Sequence, residues 1–228
     1  MTGVLNINTT VYYYNKVPKF TAHYENTYST RHLLTLLLFS ILLSCGGGGL
    51  GSTQMNTADG VEDIQSIVMD DFGADRSVHT LRVMADDHLS NNLGFVQSVS
   101  IDGDTERTKT YAIDVNGMSR VTDEEKTLSA GMLKLAQQKG SLTLGEIDYT
   151  LMHKQYEEAV AMLPEEFENP YLNQFTFNVD RNNQLTTDLT IEATKVGEDS
   201  EREGLREVIN YYEFNFEGEA DGTVVYNE

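Results

Sequence analysis

The side chains best suited to chemistry in this chain are carboxylates, and they approach two known patterns without completing either. Asp102, Asp104 and Glu106 occupy alternate positions, as the start of a calcium loop does. Such a loop needs glycine at its sixth position and a bidentate glutamate at its twelfth; here those positions hold Arg107 and Ile113. Asp114-Val115-Asn116-Gly117-Met118-Ser119 begins in the same way and is equally incomplete. Both stretches suit plain turns. His153 and Glu157 stand four residues apart, which places them on one face of a helix. A zinc protease would need a second histidine and a glutamate base in a defined pattern. The other histidines beyond Cys45 are His79 and His88, and they have no ligand spacing. The nearest string to a nucleophile elbow, Gly117-Met118-Ser119-Arg120-Val121, lacks its last glycine. Acid pairs such as Asp86-Asp87 and Glu157-Glu158 are too common in this composition to single out a glycosidase pair, whose separation across a cleft sets its chemistry. No catalytic residue, metal ligand or cofactor is expected on these grounds.

Cys45 is the only cysteine, so no intramolecular disulfide can form and core packing must hold the fold. Its setting is informative. Residues 33–43 read LLTLLLFSILL, an apolar run preceded by Arg31 and His32. A spanning helix needs about 20 apolar residues; this run has the length and basic flank of a signal-peptide core. Leu42-Leu43-Ser44-Cys45 follows directly. The stretch resembles the lipobox of bacterial lipoproteins, with an aliphatic residue at −3, a small residue at −1 and the cysteine. The resemblance implies lipid attachment at Cys45, cleavage before it and anchoring in the envelope. Gly46 at +2 lacks the aspartate of the enterobacterial retention rule, so the outer membrane is expected rather than the inner. The polar, tyrosine-rich stretch 1–30 is long for the region before such a core, and a start codon assigned upstream of the true one accounts for it. The signal peptide with its over-long extension is therefore read over 1–45, and cleavage before Cys45 is expected to leave residues 1–44 out of the mature protein. Gly46-Gly47-Gly48-Gly49-Leu50-Gly51-Ser52-Thr53 reads as a flexible tether, expected over 46–60. It imitates a phosphate-binding loop, but the lysine and the preceding strand are missing.

Charge narrows the partners. Of the 16 basic and 36 acidic residues, Lys16, Lys19, Arg31 and Glu25 precede Cys45, which leaves 13 and 35 and a net charge of −22. That field repels nucleic acid and anionic head groups. The expected partners are the membrane, through the N-terminal lipid, and an envelope protein; nucleic acid is excluded. About 180 residues remain beyond the cysteine, enough for one core.

The elements are read from periodicity. Residues 60–72 form a short amphipathic helix, with Val61, Ile64, Ile67 and Val68 near one face. Residues 77–84 alternate weakly as a strand. Strands at 96–101 and 108–115 flank Asp102-Gly103, a strong hairpin signal. Thr122 with Glu125 reads as a capping box opening a helix through Leu128, Met132 and Leu135 to Gly140. Thr143 with Glu146 repeats the pattern before the stripe Tyr149, Met152, Tyr156, Val160 and Leu163. Strands follow at Phe175–Phe177–Val179, at Leu185–Leu189–Ile191–Ala193 and at Val208–Tyr212–Phe214–Phe216, and the last, after Asp221-Gly222, at 224–226. In the third of these, Tyr211, Glu213, Asn215 and Glu217 are expected to face water.

The expected class is α+β: an antiparallel meander of hairpins covered on one face by two or three helices, as one domain over 61–228. VSIDGDTERTKTYAIDV from Val99 aligns without gaps on FNVDRNNQLTTDLTIEA from Phe177. Either strand–turn–strand units simply look alike, or a duplicated unit packs with pseudo-two-fold symmetry. The function that fits is a lipid-anchored, non-catalytic binding or assembly subunit; the alternative is an envelope hydrolase with a carboxylate site.

Overall fold

The computed structural model describes residues 9–14, 53–114, 116–136, 138–198, 201–203 and 206–227; for 9–14, 201–203 and 206–208 only the backbone is described. Cys45, the lipobox, the apolar run at 33–43 and the glycines at 46–51 lie outside them.

A first strand, β1 (Thr9–Tyr14), precedes that gap. Helix α1 (Ala58–Ile67) opens on Thr57, whose hydroxyl accepts the Gly60 N–H at 3.1 Å and so satisfies one of the donors a helix start leaves open. A π turn at Val68–Phe72 continues it to Gly73, at φ 92°. After the short β2 (Ser77–Val78), the first meander is β3 (Thr80–Ala85), β4 (Leu93–Asp102), β5 (Thr105–Ile113) and β6 (Ser119–Thr127). Helix α2 (Ala130–Ala136) follows, then β7 (Leu142–Thr143), which pairs with β2. Helix α3 (Leu151–Ala161) leads into the second meander: β8 (Phe167–Val179), β9 (Leu185–Lys195), β10 (Glu201–Glu203), β11 (Arg206–Glu219) and β12 (Val224–Tyr226).

The main sheet runs β1-β11-β9-β8-β3-β4-β5-β6, with β10 and β12 also on β11. Its pairings are antiparallel. The chain is thus α+β and dominated by its sheet. A helix followed by an antiparallel meander occurs twice, and the two halves meet at the β3–β8 seam.

Alternation divides the sheet into two faces. One row of directly opposed residues, Phe216, Leu189, Phe175, Val83, Val96 and Tyr111, crosses six strands on the inner face. The first five are buried and pack with Val61, Ile64, Val68, Leu151, Met152 and Tyr156 of α1, the π turn and α3 in one hydrophobic cluster. Gln155 of α3, fully buried, donates to Glu219 O at 2.8 Å and accepts from the Thr187 hydroxyl at 2.6 Å. That close approach explains Gly218: a Cβ there would lie 2.3 Å from Thr187 Oγ1 and 2.5 Å from Gln155 Nε2. The adjacent row on the outer face is Glu217, Asp188, Thr176, Arg82, Gln97, Thr110 and Thr122, polar throughout.

Five expectations change. Residues 119–127 are a strand, not the start of a helix. In register with β5, Lys126 opposes Glu106, Glu125 opposes Arg107 and Asp123 opposes Lys109, with Arg107 Nε 3.3 Å from Glu125 Oε1. Cross-strand pairs of opposite charge favour that pairing over the capping box, and the helix begins only at Ala130. The Thr143–Glu146 capping box does form, but it caps a 3-10 turn at Leu144–Glu146, and α3 starts at Leu151. The folded part begins before residue 61: Met55 is fully buried and Gln54 bridges to Asn92, so the tether cannot extend to 60. The stretch 1–30, set aside above, contains β1, which pairs with residues 207–212 of β11. Tyr211 is fully buried although it lies on the polar face.

The gapless repeat does not coincide with this recurrence of helix and meander. It matches the second hairpin of one meander with the first hairpin of the other. Asp102 and Thr105 close a two-residue turn, whereas Val179 and Leu185 close a longer loop. Val99 is therefore paired with Thr80 on the outer face, while its counterpart Phe177 is buried on the inner one.

Phe214, 1% exposed, packs edge-on against Phe167 with ring centroids 4.8 Å apart. Phe214→Ala should cost about 3–5 kcal/mol, the range for emptying such a site. Glu217→Ala, on the exposed side of the same strand, should cost less than about 0.5 kcal/mol. Paired denaturant melts compare the two; equal losses would mean that the faces of β11 are exchanged.

Candidate functional site

The residues that could act together lie on the outer face, where the 86–92 connection between β3 and β4 folds over the ends of β8, β9 and β11. Glu192 sits between Ile191 and Ala193, whose inner-face side chains are fully buried. Alternation turns Glu192 outward, yet it too is 0% exposed because the connection covers it. A carboxylate so placed must be compensated. His88 Nδ1 lies 2.5 Å from Glu192 Oε1, and the Leu89 N–H donates to Oε2 at 2.6 Å. Leu89 adopts φ 50°, a left-handed conformation that costs a residue with a side chain about 1–3 kcal/mol. That conformation is part of the turn that brings its N–H onto Glu192.

Two further groups complete the cluster. The Tyr211 ring stacks on the His88 imidazole at 4.9 Å and 28°. Glu213 lies directly opposite Glu192 on the neighbouring strand. Burial pushes the Glu192 carboxyl above the ordinary glutamate range; the Leu89 N–H and His88 pull it down, and the Glu213 charge adds to the upward push. His88, Glu192 and Glu213 each offer a ligand atom, and these three atoms lie within 4.8 Å of one another. Among the described residues this is the group of histidine and carboxylate side chains placed closely enough to hold an ion.

The positions singled out by sequence fall elsewhere. Asp102 and Asp104 are exposed in the β4–β5 turn. Asp114 Oδ1 accepts the Asn116 and Met118 N–H groups at 2.8 and 2.9 Å, which holds its carboxyl below the usual range and makes the stretch a turn. His153 Nε2 is 3.5 Å from Glu157 Oε1, and its Nδ1 faces Asn56 O at 2.9 Å; the pair sits on one helix face as expected and gathers no third ligand. Spacing could not reveal the His88 cluster, because its members come from a loop and two strands, with His88 and Glu192 104 positions apart.

Two concavities lie away from the cluster. One, about 350 Å³, is polar and lined by Arg76, His79, Ser100, Arg107 and Ser141 among others. The other, about 200 Å³, lies under α2 and is lined by Val99, Ile101, Leu128, Met132 and Leu135 with polar residues at its rim. Helix α2 buries none of its residues, and Met132 and Leu135 are 44% and 65% exposed. Among the described residues no helix is long and apolar enough to cross a membrane.

Like charges directly opposed across strands destabilise a sheet by about 0.2–1 kcal/mol. Glu213→Gln should therefore stabilise the metal-free protein by an amount in that range. Glu192→Ala should cost about 1–3 kcal/mol, because it leaves the half-buried Leu89 N–H and His88 without their acceptor. Denaturant melts in chelator read both; a loss of stability in Glu213→Gln would contradict the repulsion. No family model, curated protein or solved structure matches this chain.

Proposed function

We propose that the chain is a lipid-anchored lipoprotein of the bacterial envelope that works as a non-catalytic binding or assembly subunit. The anchor rests on the Leu42-Leu43-Ser44-Cys45 resemblance, with Cys45 as the lipid attachment site and the outer membrane as the destination implied by Gly46. Two acyl chains suffice for stable anchoring at about 0.8 kcal/mol per buried CH₂. The glycine-rich stretch that follows then sets the folded part off the bilayer.

The observation that carries the binding reading is the groove under α2. A seven-residue helix that buries none of its side chains is too short to be stable by itself. Its exposed Met132 and Leu135 continue an apolar lining onto the surface. Methionine and leucine around a shallow groove suit an adaptable protein contact. The net charge of −22 beyond Cys45 favours a basic partner and disfavours nucleic acid.

The hydrolase alternative gains one observation: Glu192 and Glu213 face each other, and the Glu192 carboxyl is pushed upward. An acid–base pair needs a carboxyl that can reach substrate. Glu192 is fully buried, and both its oxygens are engaged by His88 and Leu89, which favours binding over hydrolysis.

Cys45→Ala should release an unprocessed or soluble chain in which residues 53–227 still fold. Mass spectrometry of the membrane form should find an acylated fragment starting at Cys45; an intact, unmodified Met1 form as the main membrane species would refute the anchor. A photo-cross-linking residue in place of Leu135 should give one discrete envelope-protein adduct in whole cells, and Met132→Asp in the same chain should abolish it. A diffuse or absent adduct would remove the support for binding at this groove.

A further inference from the structure

We propose that His88, Glu192 and Glu213 form a site for one divalent transition ion of the zinc class. The inference goes beyond the binding role and is independent of the lipid anchor.

Donor type comes first. One imidazole nitrogen and two carboxylate oxygens make a borderline set that suits zinc and its neighbours. Calcium takes six to eight oxygens, and magnesium keeps most of its waters; an imidazole in the set disfavours both.

Placement comes next. The three donors come from the 86–92 connection, β9 and β11, and their atoms lie within 4.8 Å of one another. Zinc–ligand distances are about 2.0–2.2 Å, which sets donors on a shared ion roughly 3 Å apart. His88 and Glu192 stand closer than that, at 2.5 Å. His88 is 34% exposed, so a small outward shift of its ring opens the gap. As it stands, the Leu89 N–H holds Glu192 Oε2 and the Tyr211 ring lies against the imidazole. Contacts of this kind orient ligands around bound metals. His88 and Glu213 are both half-buried, which leaves a side open to water as a further ligand.

Charge supplies an independent reason. Two carboxylates stand opposite each other, one of them fully buried. One imidazole can bring at most a single positive charge to the pair, whereas a divalent ion neutralises both carboxylates at once. Buried charge is tolerated when it is paired or bound to metal.

The test uses the untagged full chain, purified from whichever cell fraction holds it and stripped with chelator. Calorimetric titration with zinc chloride should show one ion per chain, with a rise in melting temperature that grows with zinc. Calcium chloride and magnesium chloride should not compete. His88→Ala and Glu213→Gln should each weaken zinc binding by about tenfold or more. Without ion, Glu213→Gln should melt at or above the wild-type temperature, which separates a lost ligand from a damaged fold. The proposal is overturned if zinc does not saturate at one per chain, if either substitution leaves its affinity within that factor, or if calcium or magnesium displaces it. Zinc held equally well by both variants would place it elsewhere, as at His153 and Glu157.

Discussion

One apolar layer, shared by both halves of the sheet and by α1 and α3, is the interaction on which everything else rests. Tyr149 meets Phe177 with centroids 5.7 Å apart, Phe177 meets Phe175 at 4.9 Å, and Phe167 meets Phe214 at 4.8 Å. Each aromatic side chain brings about 150–250 Å² into the interior. With a single cysteine in the chain, no intramolecular disulfide supplements this packing. Because the inner face carries the core, the outer face can be polar, and rows of threonine, glutamine and asparagine can cross many strands there.

The same layer fixes the His88 cluster from behind. Ile191 and Ala193 are held in the core, so the backbone that carries Glu192 has little freedom. The 86–92 connection is then fastened at several points: Leu89 to Glu192, Asn91 Oδ1 accepting the Leu172 N–H at 2.7 Å, and Met55 N–H donating to Asn91 O at 2.7 Å. A buried acid is thus enclosed by a loop tied down on both sides. Such an arrangement positions donor atoms more closely than a mobile surface loop could.

Much of the fold was legible as alternation. The inner residues of β8, β9 and β11 follow the period of two, and the helix stripe from Tyr149 to Tyr156 is buried as its spacing implies. Residues 119–127 mislead because Thr122 and Glu125 satisfy a local helix rule, while the decisive signal is non-local: opposite charges that align only when β5 and β6 are set side by side. The burial of Tyr211 and Glu192 was hidden for a related reason. Alternation says which face a residue is on, but not what later covers that face. The metal-ligating group was invisible because its members share no sequence interval, and Glu192 looks like any outward residue of a half-buried strand.

The β3–β8 seam sets the order in which the chain can assemble. Within each meander most strands pair with near neighbours, but Thr80 meets Asn178 across 98 residues. Contacts of such range form slowly, because a long loop must close before they contribute. Chains emerge during synthesis at about 5–20 residues per second, so β3 waits roughly 5–20 s for its partner. Through that interval Leu81 and Val83 have no Phe177 and Phe175 opposite them, and one edge of β3 is bare. Until β8 is in place that edge of β3 can pair with other strands, and the sheet reaches its final stability only when the second half has joined it.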